Sequence, residues 1–333
     1  MNFIAKLAWT GLMAILLAAP LQAQKRIVVA YVTSGSDELP DMSLMTHIDY
    51  AFGHVNETFD GIVISRPERL EAIVSAKGEV KVCLSVGGWG SGRFSEMAAT
   101  EAGRKAFARD CARVIEEYGL DGIDLDWEYP TSSAAGISSS PDDTDNFTLL
   151  VQEIRREVGP DKLLTLATPA GARYFDFPAI LPLVDWVNVM SYDMGRPPMH
   201  NAALYKSGIS RWMTTDGAVK AHLKAGVPAD KMVVGMPFYG HGDRKTYPDY
   251  VNYKDLQPPV EGIREVWDSV GHVPYYADAE GRMVLGFDNV QSITDKCEYI
   301  VEQGVRGAMY WEYNCDNATH DLARTVARIV LGR

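Results

Sequence analysis

Cysteine is scarce. The 333-residue chain carries four, Cys83, Cys111, Cys297 and Cys315, too few to act as a disulfide scaffold for a protein this long. None belongs to a CxxC pair or a His/Cys cluster, so the sequence offers no structural metal site. Cys83 lies in an apolar run and is expected to be a free buried thiol, while a Cys297–Cys315 bridge is a pairing left open. Positive charge is also in short supply: 32 Lys and Arg face 44 Asp and Glu, a net charge of −12. That balance excludes a general binder of nucleic acid or of anionic membranes and leaves neutral substrates open. Long apolar runs are missing beyond the N-terminus. There Lys6, the run at 7–19 and the small Ala23 read as a secretory signal over residues 1–23, too short for a comfortable membrane span. The expectation is a secreted or periplasmic protein whose residues 24–333 form a single domain.

A nucleotide-binding glycine loop is missing as well. The first apolar run is followed by Ser34 and Gly35 without the glycine pattern such a site needs, which argues against an open, doubly wound sheet. What the chain does contain is a recurrence of apolar runs of strand length at 27–32, 47–55, 81–86, 122–127, 163–168, 186–192, 232–239 and 307–311. Amphipathic stretches of helical length intervene, among them 101–118, 147–158 and 293–303. Buried strands alternating with helices imply parallel strands covered by helices, and eight of them at this length favour an α/β fold of the closed (β/α)8 TIM-barrel type. Residues 130–145 read as a long loop, and residues 241–286 as an elaborate rim of short strands.

The most informative segment runs from Asp121 to Pro130, DGIDLDWEYP. Asp124, Asp126 and Glu128 are two residues apart, so an extended chain points all three to one side while Ile123, Leu125 and Trp127 point to the other. Three aligned carboxylates in a buried strand repel one another and lose solvation, which makes a purely structural role unfavourable. Close carboxyls can share a proton, and an acid kept protonated near neutral pH can donate to a leaving oxygen. Glu128 lies nearest the carboxyl end of its strand, where barrel active sites are found, and is the natural acid. Asp124 would either hold a proton or fix Asp126. A magnesium site is the competing reading of the same trio.

This segment matches the DxxDxDxE signature of glycoside hydrolase family 18, the family of chitinases and chitinase-like lectins, and Ser85-Val86-Gly87-Gly88 matches its SxGG signature. The chain resembles that family over nearly all of residues 24–333, through Tyr31, Phe52, the Met190–Asp193 segment, the Met236–Tyr239 segment and Trp311. The resemblance implies an endo-acting chitinase that cleaves internal β-1,4 N-acetylglucosamine linkages without a cofactor or metal. Chitin or chitooligosaccharides are the implied partner, with no nucleic acid and no membrane. It assigns Glu128 as general acid and base, Asp126 to orient the substrate acetamide, Asp124 to support Asp126, and Tyr192 to hydrogen-bond the acetamide oxygen. The substrate's own N-acetyl group, rather than an enzyme carboxylate, is the implied nucleophile.

The resemblance also implies substrate contacts from Trp311, Asp193, Met190, Tyr239, Trp89, Phe52 and Tyr31, and structural roles for Ser85, Gly87, Gly88 and Asp121. Asp243 is a further candidate glycan contact, and His200-Asn201 a loop brace or a contact. The chain departs from the larger family members after residue 239, where the stretch before Trp311 is too short for a full α+β insertion module; a shallower cleft is expected. The competing functions are an endo-β-N-acetylglucosaminidase acting on glycoprotein glycans and a non-catalytic chitin-binding lectin.

Overall fold

A computed structural model describes residues 25–333, so the proposed signal at 1–23 lies outside the described residues. The chain begins with β1 (Ile27–Thr33) and β2 (His47–Val55), the latter folded back on β3 (Ile62–Ile64), and continues through α1 (Pro67–Ala76). Next come β4 (Lys81–Gly87), α2 (Phe94–Ala98), α3 (Glu101–Tyr118), β5 (Gly122–Asp126), α4 (Asp143–Val158) and β6 (Leu163–Pro169). They are followed by α5 (Phe177–Ile180), β7 (Trp186–Met190), α6 (Thr215–Lys224) and β8 (Met232–Pro237).

Strands β1, β2, β4, β5, β6, β7 and β8, with a last strand at Gly307–Trp311, lie parallel in order around a closed ring. Closure is made by β1, which pairs with β2 on one side and with the Gly307–Trp311 strand on the other. This is the α/β barrel expected from the alternation of runs. β-Branched and aliphatic residues dominate its strands, and β5, β7 and β8 are buried along their whole length. The helices cover the outside through one apolar stripe each. In α3 the buried positions are Phe107, Ala108, Cys111, Val114 and Ile115, the spacing of a single helical face.

Between β8 and the last barrel strand the chain builds a second sheet. Its strands are β9 (Tyr239–Gly242), β10 (Val251–Asn252), β11 (Arg264–Asp268), β12 (Val273–Ala277) and β13 (Met283–Gly286), antiparallel in the order β10-β9-β13-β12-β11. Only a single 3₁₀ turn at Tyr253–Asp255 interrupts it, so this segment carries no α-helix. Helix α7 (Val290–Glu302) returns the chain to β14 (Gly307–Trp311), and α8 (Asp321–Val326) closes the fold. A buried ion pair ties α7 to the end of this sheet. Lys296 Nζ lies 2.5 Å from Asp288 Oδ1, and Ser292 donates to the same oxygen.

Two expectations need correction here. Three barrel strands stop short of the apolar runs that announced them, β5 at Asp126, β7 at Met190 and β8 at Pro237, while the other five match their runs or exceed them by one residue. The four cysteines are all free, so there is no Cys297–Cys315 bridge. Cys297 is buried on α7, whereas the Cys315 thiol donates to Asn252 Oδ1 at 3.1 Å and binds the second sheet instead.

Candidate active site

A cavity of about 560 Å³ opens at the carboxyl ends of the barrel strands. Glu128, Asp126, Tyr192, Met190, Asp193, Tyr239, Trp311, Trp89, Phe52 and Tyr31 all line it, so each catalytic and substrate-contact candidate except Asp124, Asp243 and the His200-Asn201 pair faces one space. Glu128 lies two residues past the end of β5 yet shares the cavity with Asp126, as the two-residue spacing implied.

Asp124 sits one layer deeper, with no solvent exposure, and both its oxygens are engaged by protein donors. Oδ2 accepts from the Tyr31 hydroxyl and the Ser85 hydroxyl, each at 2.8 Å. Oδ1 accepts from Thr165 Oγ1 at 2.7 Å and Asn188 Nδ2 at 3.2 Å. Strand register explains the arrangement, since Ser85 and Thr165 flank Asp124 on β4 and β6. Asp124 therefore makes no hydrogen bond to Asp126; its influence on that residue is electrostatic. Both of its oxygens being spent on protein donors also argues against the magnesium reading of the trio.

Asp126 Oδ1 is buried without a hydrogen-bond partner. Burial raises the Asp126 carboxyl well above the usual range, and the charges of Glu128, Asp124 and Asp49 push the same way. Burial likewise pushes Glu128 up to about 7, opposed by the Tyr129 hydroxyl and reinforced by Asp193. A carboxyl with that value stays substantially protonated near neutrality, as a general acid must. The stacked carboxyls cannot all be ionised together in so buried a place.

Two glycines make this stack possible. A side chain on Gly87, whose φ is +131°, would put its Cβ 2.0 Å from the Asp126 carbonyl oxygen. A side chain on Gly88 would strike the Phe52 ring at 2.6 Å. The SxGG segment thus lets β4 press against β5 and seats Phe52, which stacks on Trp311 with centroids 5.5 Å apart. Ser85 does more than shape the backbone, since its hydroxyl holds Asp124. Asp121 braces the start of β5, taking hydrogen bonds from Lys77, Lys81 and the backbone N–H of Val82.

On the other wall, Asp193 adopts a left-handed backbone with φ of 54° and accepts from two residues of β9. Tyr239 donates its hydroxyl at 2.9 Å, and His241 Nε2 lies 2.6 Å away. Asn201 Oδ1 accepts the Asp193 backbone N–H at 2.8 Å, while its neighbour His200 bonds Asp268 of β11 at 3.0 Å. The His200-Asn201 pair is therefore a loop brace. Asp243 lies outside this cavity, and its carboxylate caps the turn at Lys245, Thr246 and Tyr247.

Several cavity residues escaped the sequence reading. Tyr129, Arg173, Tyr174, Trp212, His241 and Tyr250 lie on loops or on the second sheet, outside any strand-period pattern. Asp49 and Asn188 were missed for a different reason. Each is a fully buried polar residue in a largely apolar strand, and Asn188 Nδ2 bridges Asp49 at 3.1 Å to Asp124. A polar residue at an inward position of a buried strand was the signal available.

Comparison with known proteins points one way. The family model for Glycosyl hydrolases family 18 matches residues 27–316. Chitinase A1 of Niallia circulans is 33% identical over 316 residues, which span 81% of this chain and 45% of that protein. An endochitinase of Manduca sexta is 29% identical over 340 residues, spanning 85% of this chain and 60% of that one. The chain thus spans about half the length of these two relatives. Among solved structures, a family 18 N-acetylglucosaminidase from Paenibacillus barengoltzii superposes with a TM-score of 0.81 at 32% identity, covering 91% of this chain and 99% of that one. A Group IV chitinase of Ostrinia furnacalis gives 0.82 at 27% identity, covering 93% and 100%.

Proposed function

The chain belongs to glycoside hydrolase family 18, and from that membership we propose that it hydrolyses internal β-1,4 linkages of N-acetylglucosamine polymers, chitin foremost. The observation that carries the reading is the placement of Glu128, with its carboxyl raised to about 7, beside Asp126 in one cavity with Tyr192 and Trp311.

In this reading Glu128 donates its proton to the glycosidic oxygen as that bond breaks. The acetamide carbonyl oxygen of the same sugar attacks the anomeric carbon from the opposite face, forming a cyclic oxazolinium ion and releasing the leaving chain as an alcohol. Asp126 accepts the acetamide N–H and balances the positive charge that develops there. Tyr192 donates to the acetamide oxygen and holds it in line. Glu128, now a carboxylate, removes a proton from water as it adds to the anomeric carbon. Ring opening of the oxazolinium restores the acetamide, with net retention of configuration. Trp311, backed by Phe52, supplies the apolar surface under the sugar being cleaved.

Residues 1–23 support export to the periplasm or the medium, which N-terminal sequencing of the exported protein tests, and residues 24–333 are taken as one catalytic unit, which activity of that segment expressed alone tests. Among the described residues no helix is long and apolar enough to cross a membrane. The functional test is product analysis on chitohexaose and a high-mannose glycopeptide, with Glu128→Gln as control. Shorter oligosaccharides from the parent alone, with a loss of about 10²-fold or more in the variant, are expected. Cleavage of the glycopeptide alone would make the protein an endoglycosidase of glycoprotein glycans; cleavage of neither, with binding retained, would make it a lectin.

A further inference from the structure

The cavity wall formed by the loops after β6 and β7 holds a cation that the proposed chemistry does not use. The Arg173 guanidinium lies over two aromatic rings, 5.5 Å from the centroid of Tyr174 and 5.6 Å from that of Trp212. All three side chains line the cavity that contains Glu128. A Cβ on Gly171 would come 3.3 Å from Arg173 Nε and 3.4 Å from the Trp212 ring, so the missing side chain at 171 leaves the slot in which both lie.

Arg173 differs from the other arginine of the cavity. Arg196 is neutralised by Asp249, 3.1 Å away, which also pairs with Arg244. Among the described residues no carboxylate comes within ion-pair distance of Arg173. Ring faces attract a cation through their quadrupoles but leave its net charge uncompensated. The cleft therefore presents one unpaired, solvent-exposed positive charge against the Tyr174 and Trp212 rings, in a chain whose net charge is −12.

We propose that Arg173 is a specificity-determining residue: it makes the sugar position beside it accept N-acetylglucosamine and reject protonated glucosamine. The two units differ there by one charge. The acetamide is neutral, and its carbonyl can accept a guanidinium N–H. The free amine, when protonated, is a second cation facing the first. This inference rests on the chitinase reading and adds a selection by degree of acetylation at a sugar that does not react. The sugar undergoing cleavage needs its acetamide for a separate reason, because that group is the nucleophile.

The test uses a set of hexasaccharides, one fully acetylated and the others with a single glucosamine at each successive position, cleaved at a pH where the amine is protonated. Mass spectrometry of the products gives the cleavage register. The quantity compared is kcat/KM for each substituted hexamer divided by that for the fully acetylated one, within each enzyme variant. In the parent, glucosamine is expected to lower this ratio at two places, the reacting sugar and one other. At the second place the penalty is about fivefold, the factor two unit charges about 4 Å apart produce in a water-like medium. Arg173→Gln removes the second penalty and leaves the first, and Arg173→Lys retains it. In the parent, the second penalty also shrinks toward unity near 1 M salt, where screening acts over about 3 Å.

A second penalty unchanged in Arg173→Gln and insensitive to salt would overturn the inference, as would its absence from the parent. If Arg173→Gln does not fold, the salt series on the parent decides alone. Failure of the parent to cleave the fully acetylated hexamer would instead defeat the chitinase reading itself.

Discussion

The Tyr31 hydroxyl donates to Asp124 Oδ2 across 2.8 Å, joining β1 to β5 through the interior of the barrel. Asp124 has no solvent exposure, so the bond is made to a buried carboxyl that cannot turn to solvent for a replacement. Tyr31→Phe removes the donor and keeps the ring packed against Trp311. The expected cost is about 1.5–3 kcal/mol of folding stability, the range for hydrogen bonds to charged groups, together with a reduced kcat. Denaturant titration checks the first and saturating kinetics the second. A change below about 0.5 kcal/mol would mean that Asp124 finds another partner.

The pH dependence follows from Glu128. Its carboxyl is raised from 4.5 to about 7, and only the protonated form can act as acid, so kcat/KM is expected to fall as pH rises through about 7. Asp193 contributes to the rise by like charge, so Asp193→Asn should move this alkaline limb to lower pH. Comparison of pH–rate profiles decides, and an unmoved limb would remove Asp193 from the account.

Folding stability carries the same signature. Below pH 4.5 Glu128 is protonated in both folded and unfolded chains, and its contribution is fully present. Between 4.5 and about 7 only the folded chain retains the proton, and the contribution is lost as pH climbs through that window. Glu128→Gln has no proton to lose. Its stability relative to the parent should therefore rise across the window and level off above it, as read from melting temperatures at a series of pH values.

Gly87→Ala places a methyl group 2.0 Å from the Asp126 carbonyl oxygen, with φ at +131°. Neither the backbone nor its neighbour can yield without parting β4 from β5. The variant should lose more than about 2 kcal/mol, well beyond an ordinary substitution, and most of its activity. Wild-type stability in this variant would show that the two strands separate freely.

The thiols give a simple chemical check. Unfolding without reductant should expose four titratable thiols per chain, and the native protein should react slowly, because all four are buried. Two thiols on unfolding would mean that a bridge forms in the isolated protein.

Legibility in the sequence tracked regularity. The barrel could be read because buried parallel strands leave continuous apolar runs, and the acidic cluster because period-two carboxylates conflict with those runs. The far wall could not. Tyr174, Trp212 and Tyr250 sit on connections whose path depends on tertiary contacts, and His241 meets Asp193 only because β9 turns back over the β7 loop. Asp49 and Asn188 are isolated polar residues whose meaning depends on a neighbour 139 positions away. The five-stranded sheet was visible only as scattered short strands, since its pairing is set by long-range register.

That sheet also bears on how such a protein can change. Tyr239 and His241 belong to it, and both hold Asp193, the residue whose charge helps keep Glu128 protonated. Lengthening or trimming the segment between β8 and α7 would alter the depth of the groove and, through Asp193, the acidity range of the reaction. Through that contact, a change that reshapes the groove wall also reaches the proton on Glu128.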